Sequence, residues 1–274
     1  MNHHRVRDIL RDRGLRLFER PRQFIQFAHH QQADELLNDL ERYPHAFVLG
    51  CIMDRQIPAG RAWRIPYEFR QRVNSFEFDH LRQLTVEQIQ MTMSRPTHLL
   101  RFINDMTQNF YSAIQRIATQ YDGNASNMWC GNPGSATVVR RFLQLDGVGV
   151  KIATMAANTL VRDFRIPVND KFSIDVSPDV HIQRVFKRLG LVGPRASLEE
   201  IVYSAREMNP EYLGIFELSV WEIGRNWCTL CNPNCQQCPI NEVCPGIEHG
   251  ETAANNSSKG ASLRTGSGQE HYRK

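Results

Sequence analysis

Leu145-Asp146-Gly147-Val148-Gly149-Val150-Lys151, LDGVGVK, is the stretch on which the reading of this chain turns. It joins two segments, 135–145 and 150–161, whose apolar residues recur at helical spacing. Two glycines one residue apart permit positive φ and a tight turn. The amides after the turn open the second helix, so they form an anion site that the helix dipole reinforces. Val148 would pack inward and hold the turn. A Gly-x-Gly between helices can also be nothing more than a turn. Lys151 falls in the first turn of the second helix, where the positive end of the dipole disfavours an ammonium. A lysine that gives up its proton readily is a candidate nucleophile. The plainer reading is a phosphate-contacting or solvent-exposed lysine.

Working outward, helical patterns are predicted over 33–42, 84–93, 98–121, 198–208 and 212–225. A further helix over 180–189 has clear signals, starting after Pro178 and stopping at Gly190. Val6, Ile9 and Leu10 begin a first helix, expected to end near Gly14 or Pro21. The apolar run 46–53 is far too short to span a bilayer. No alternation of period two is visible, so the expected fold class is all-α. The tail, 248–274, is rich in Gly, Ser and Asn and is expected to be disordered.

The 274 residues are enough for one large domain or two small ones, and 41% hydrophobic with 23% charged is an ordinary soluble balance. The opening residues are too charged for a signal peptide, which points to the cytosol, where thiols stay reduced. Net charge is +4 and the pI about 8.7, too mild alone to imply nucleic acid. Its distribution says more: residues 1–22 carry seven Arg against Asp8, Asp12 and Glu19. Such an arm suits a polyanion, or else is a solvated helix face.

Five of the seven cysteines crowd into CTLCNPNCQQCPINEVC, residues 228–244. In a reducing compartment a cluster of this kind reads as a metal site. Cys228/Cys231 and Cys235/Cys238 look like two CxxC knuckles for Zn²⁺, with only three residues between them and Cys244 left over. Cys228, Cys235, Cys238 and Cys244 give the other choice, C-x6-C-x2-C-x5-C, with Cys231 spare. Spacing separates zinc from iron–sulfur only weakly.

Pro178-Asp179-Val180-His181-Ile182-Gln183-Arg184-Val185 places Asp179 as an N-cap. The alternative is a carboxylate aimed at the hairpin, able to stabilise a cationic sugar or assist proton transfer. His181 alone reads as structural.

Taken in order, Gly-x-Gly with Lys, Asp-x-His-Ile-x-Arg-Val and Gly-Arg-x-x-Cys-x6-Cys-x2-Cys-x5-Cys resemble the endonuclease III branch of the helix–hairpin–helix DNA glycosylases, over roughly 30–246. LDGVGVK resembles that family's LPGVGRK and PDVHIQRV its VDTHIFRV. The resemblance implies a two-domain fold: a six-helix domain over 40–165, and an iron–sulfur domain built from 1–39 and 166–247. It implies Lys151 as nucleophile and Asp179 as catalytic carboxylate. Gly147, Val148, Gly149 and Arg225 would contact DNA, and Gln56 would fill the gap left by a flipped base. Cys228, Cys235, Cys238 and Cys244 would hold a [4Fe–4S] cluster, with Cys231 a bystander. The implied partner is duplex DNA with a flipped damaged nucleotide, bound by a monomer in the cytoplasm and on the nucleoid. The implied activity is base excision with strand nicking, an oxidised pyrimidine being the default lesion. Oxidised purines, mismatched T or U and sugar-configuration damage are alternatives, as is a non-catalytic DNA-binding protein.

The chain departs from the family's pattern in four places. Asp146 stands where the family has proline, and would repel a phosphate unless it caps the next helix. The stretch between Lys151 and Asp179 is long, and Asp175 within it is a second candidate acid. Cys51 lies near where the adenine-excising branch keeps a glutamate, which disfavours that activity. The basic arm 1–22 matches nothing in the family.

Overall fold

The computed structural model describes residues 3–54 and 57–246. Among the described residues there are twelve α-helices, two short 3₁₀ turns and no strand. In chain order the helices are α1 (His3–Glu19), α2 (Gln31–Asn38), α3 (Pro44–Met53), α4 (Ala59–Val73), α5 (Phe78–Leu81) and α6 (Val86–Ser94). They continue as α7 (Ile103–Gln120), α8 (Ser135–Leu143), α9 (Val150–Arg162), α10 (Val180–Arg188), α11 (Leu198–Met208) and α12 (Ile215–Asn226). None of them is long and apolar enough to cross a membrane.

One group of helices packs around α3, whose ten residues are all buried. Such all-round burial requires partners on every side, and α3 touches α2, α4, α7 and α9. Phe47 is its pivot. Its ring lies 5.8 Å from Trp63, 5.4 Å from Phe164 and 6.4 Å from Phe142, the latter two edge-on. A second group joins α1 and α10 to α12, with α11 against α10. The helices α8 and α9 pack against each other across the LDGVGVK turn.

Helix α4 was not expected from the sequence, because Pro66 stands in its middle. Proline removes one ladder hydrogen bond. The helix persists because Ala62, Trp63, Ile65, Pro66 and Phe69 form a buried stripe at helical spacing. Of the two ends expected for the first helix, the later one holds: α1 runs straight through Gly14 and stops at Glu19, two residues before Pro21. A Cβ on Gly14 would lie 2.3 Å from the carbonyl oxygen of Ile215, so this glycine marks a close helix crossing rather than a stop. Capping boxes at Thr85 and Ser197 fix the starts of α6 and α11. The expected disorder of 248–274 concerns residues outside those described.

The basic arm is folded into α1 and much of its charge is answered locally. Arg7 pairs with Asp8 at 2.9 Å, Arg11 with Asp12 at 3.4 Å, and Arg13 with Glu222 of α12 at 2.7 Å.

Candidate active site

The LDGVGVK segment turns sharply between α8 and α9. Gly147 has φ 79°, a value that glycine adopts without strain, and the Val148 N–H donates to Leu145 O at 3.1 Å. Val148 is 9% exposed and anchors the turn in the core. Gly149 is the N-cap of α9 and contributes no side chain to the cap, so the first amides of α9 are not covered by a capping group. Asp146 does not cap α9 either; its Oδ2 takes a hydrogen bond from Ser112 Oγ of α7 at 2.5 Å. Lys151 follows on the first turn and is exposed, as is Val150.

Asp179 is the N-cap of α10. Its Oδ1 accepts from His181 N at 2.9 Å and Ile182 N at 2.8 Å. Both bonds fall on one oxygen, which leaves Oδ2 for other work. Capping and chemistry are therefore compatible uses of the same carboxylate.

The structure brings the hairpin and this cap together through Ser177. The Ser177 hydroxyl donates to Lys151 O at 3.2 Å and lies 3.2 Å from Thr154 Oγ1. The Asp179 N–H in turn donates to Ser177 O at 2.6 Å. Asp175, the second candidate acid, is removed from consideration: Arg206 of α11 holds it bidentate, at 3.0 and 2.8 Å. The long connection is ordered by Asp170, which accepts from Ser135 Oγ and from Phe172 N.

Arg225 lies exposed over the Trp221 ring at 4.9 Å, and that ring stands 6.2 Å from His181, two residues past Asp179. Gly224 allows this approach, since a Cβ on it would come within 2.8 Å of His181 Cβ. Arg184 ties the same region to the cysteine loop. Its Nε donates to Cys228 O at 2.6 Å and its Nη2 to Gly224 O at 2.8 Å. Gln56 lies outside the described residues.

Sequence reasoning missed Asp54. It ends α3 and faces the Lys151 ammonium. Burial pushes its carboxyl up, while the Lys151 charge pulls it down. The only signal was its place beside Gln56 in IMDRQIP. Cys51 is instead fully buried in the core, where burial pushes its thiol well up.

The sulfurs of Cys228, Cys235, Cys238 and Cys244 belong to residues that line one small cavity, walled by Val185, Leu189, Ile223, Trp227 and Ile240. Cys231 is exposed and does not line it. Burial, and then the neighbouring thiolates, push Cys238 and Cys244 up. Buried Arg188 reaches the same wall, with Nη1 3.3 Å from Cys228 Sγ and 2.7 Å from Thr229 O. Among the described residues, no three His, Cys, Asp or Glu side chains form a group able to hold a single metal ion.

No protein-family model matches the sequence, and a search of curated proteins found no match. Solved structures do match. A non-covalent endonuclease III–DNA complex aligns at 16% identity and a TM-score of 0.55, covering 82% of this chain and 97% of that one. A trapped endonuclease III–DNA covalent intermediate aligns at 16% identity and 0.52, with the same coverage. A thermostable thymine-DNA glycosylase aligns at 14% identity and 0.58, covering 90% of this chain and 99% of that one. The fold is that of the helix–hairpin–helix DNA glycosylases. Within this glycosylase fold, the LDGVGVK turn is the hairpin, and α8 and α9 are its flanking helices.

Proposed function

We propose that the chain is a DNA glycosylase with lyase activity, removing a damaged base from duplex DNA and nicking the strand. The observation that supports this reading is Ser177, which joins the Lys151 backbone carbonyl in the uncapped first turn of α9 to the turn that leads into the Asp179 cap. A base stacked in a duplex must be flipped out before its glycosidic bond can be reached. The amides after Gly147 would hold a backbone phosphate at the positive end of α9, without reading sequence. Arg225 would add a second phosphate contact.

Positive charge develops on the sugar as the glycosidic bond breaks, and Asp179 Oδ2, which takes neither of the two capping bonds, would stabilise it. The neutral amine of Lys151 would attack C1′ as the base leaves with the bonding electrons. Opening of the sugar ring then gives a protonated imine between Nζ and C1′. Loss of a C2′ proton expels the 3′ phosphate and nicks the strand. Asp54, half-buried at the end of α3 and within reach of the Lys151 charge, would take the ammonium proton that must leave first. An oxidised pyrimidine is the default lesion.

The cysteine set fits a [4Fe–4S] cluster held by Cys228, Cys235, Cys238 and Cys244. These four residues line one apolar-walled cavity with the Arg188 guanidinium at its edge, while Cys231 lies outside it, which supports this ligand set over two CxxC knuckles. When bound, such a cluster would serve structurally, closing the loop whose Cys228, Thr229 and Leu230 carbonyls accept from Arg184 and Arg188.

The test is nicking of a duplex with one abasic site by the wild type and by Lys151→Ala. Nicking by the wild type alone supports the reading. Equal nicking by both would remove Lys151 from the chemistry.

A further inference from the structure

Behind Lys151 and Asp179 lies a polar network that the chemistry above does not use. Its hub is Ser177, 4% exposed. The hydroxyl of Ser177 staples the first turn of α9, and its N–H points the other way, donating to Glu217 Oε2 at 3.2 Å. The same oxygen accepts from Asn158 Nδ2 at 3.1 Å. Fully buried Asn158 stands two helical turns beyond Lys151, on the same face of α9. It is itself held, with Nδ2 3.0 Å from Gly214 O and Oδ1 taking the Tyr212 hydroxyl at 2.5 Å.

Glu217 comes from the first turn of α12, so three separate segments meet on one carboxylate. An apolar side chain would fill that place at far lower desolvation cost. It would also leave the Ser177 N–H, two residues before Asp179, without an acceptor. We propose that Glu217 is a positioning residue that fixes the Ser177–Asp179 turn against the first turn of α9, and so sets Asp179 opposite Lys151. The proposal rests on the reading given under Proposed function.

The carboxylate form does this best. Two N–H donors on one oxygen favour the ionised group. The charged groups facing Glu217 are Arg162 of α9 and Asp179 of the connecting loop, with the Tyr212 hydroxyl nearby on the approach to α12. Burial pushes Glu217 above the ordinary carboxylate range, and the Asp179 charge adds to this; Arg162, Asn158 and Ser177 oppose it. Protonation in mildly acidic solution would therefore loosen the clamp.

The experiment compares wild type, Glu217→Gln and Glu217→Ala in the full chain. It follows single-turnover borohydride trapping on an abasic duplex as a function of pH, beside DNA affinity and thermal unfolding. Trapping by both variants should slow by about tenfold to a hundredfold, as misplaced reacting groups do, with DNA affinity unchanged. The wild type should lose rate as pH falls through a group titrating above the ordinary carboxylate range, and Glu217→Gln should lack that limb. A Glu217→Gln protein with wild-type stability, rate and pH profile would overturn the proposal. So would losses of rate that only mirror losses of DNA affinity. A wild type that never traps would overturn the lysine chemistry, and this proposal with it; a trapping wild type with unaltered variants overturns this proposal alone.

Discussion

The helix α3 and the loop after α12 are held by opposite means. All ten residues of α3 are buried, with the Phe47 ring packed among Trp63, Phe142 and Phe164. Residues 228–246 bury only Ile240, and their regular structure is one 3₁₀ turn, Asn241–Val243. A segment of that kind removes too little apolar surface from water to offset its ordering. Helix α3 needs no cross-link, whereas the cysteine loop needs one. The proposed catalytic pair belongs to neither, its lysine on α9, which packs against α3, and its aspartate capping the helix that Arg184 ties to the loop.

The largest effect should come from the loop. Structural metal sites contribute on the order of 10 kcal/mol to folding, so Cys238→Ser should abolish backbone amide protection over 228–246 while leaving that of α3 intact. Hydrogen exchange reads both at once, and equal loss in the two regions would break the contrast. Phe47→Ala should do the reverse, lowering global stability by about 3–5 kcal/mol with amide protection over 228–246 retained at low temperature. Urea unfolding measures it.

His45, also in α3, gives a finer test. Its Nε2 donates to Phe76 O at 2.8 Å, and burial lowers its pKa from 6.5 to about 4. The unfolded chain therefore binds a proton in that window and the folded chain does not. Stability should rise with pH from 4 to 6.5 and fall by about 3 kcal/mol as pH drops back, an effect that His45→Gln should remove. The Asp179 cap is smaller. Asp179→Asn should keep the unfolding midpoint and lose activity, whereas Asp179→Ala should lose activity and also about 1 kcal/mol of stability. Cys231→Ser should change neither the visible absorbance nor amide protection, because Cys231 lies outside the cavity wall.

Much of the helical order was legible. The span over 180–189 was marked by Pro178 and Gly190 and that over 198–208 by its helical spacing, signals that act locally. The helix α4 was not, since local rules read Pro66 as a break and its buried stripe matters only once α3 is alongside. Gly14 left the end of α1 open for the same reason: its meaning lies in Ile215, some two hundred residues away. At the site, Lys151, Asp179 and the four cavity-lining cysteines stood out because their motifs are contiguous. Asp54 and Glu217 did not, because nothing in their own neighbourhoods says that they face Lys151 and Ser177. Asp175 was a second candidate that lacks the x-His-Ile context of Asp179, and its pairing with Arg206 of α11 was not legible in the sequence.

The account stands or falls on Lys151 as a nucleophile. The most direct measurement is borohydride trapping on a panel of lesion-bearing and abasic duplexes, with the adduct mapped by mass spectrometry. The account predicts a covalent protein–DNA adduct at Lys151 in the wild type and none with Lys151→Ala, the best-trapped duplex naming the lesion. An adduct at another residue, or none while base is still released, would contradict it.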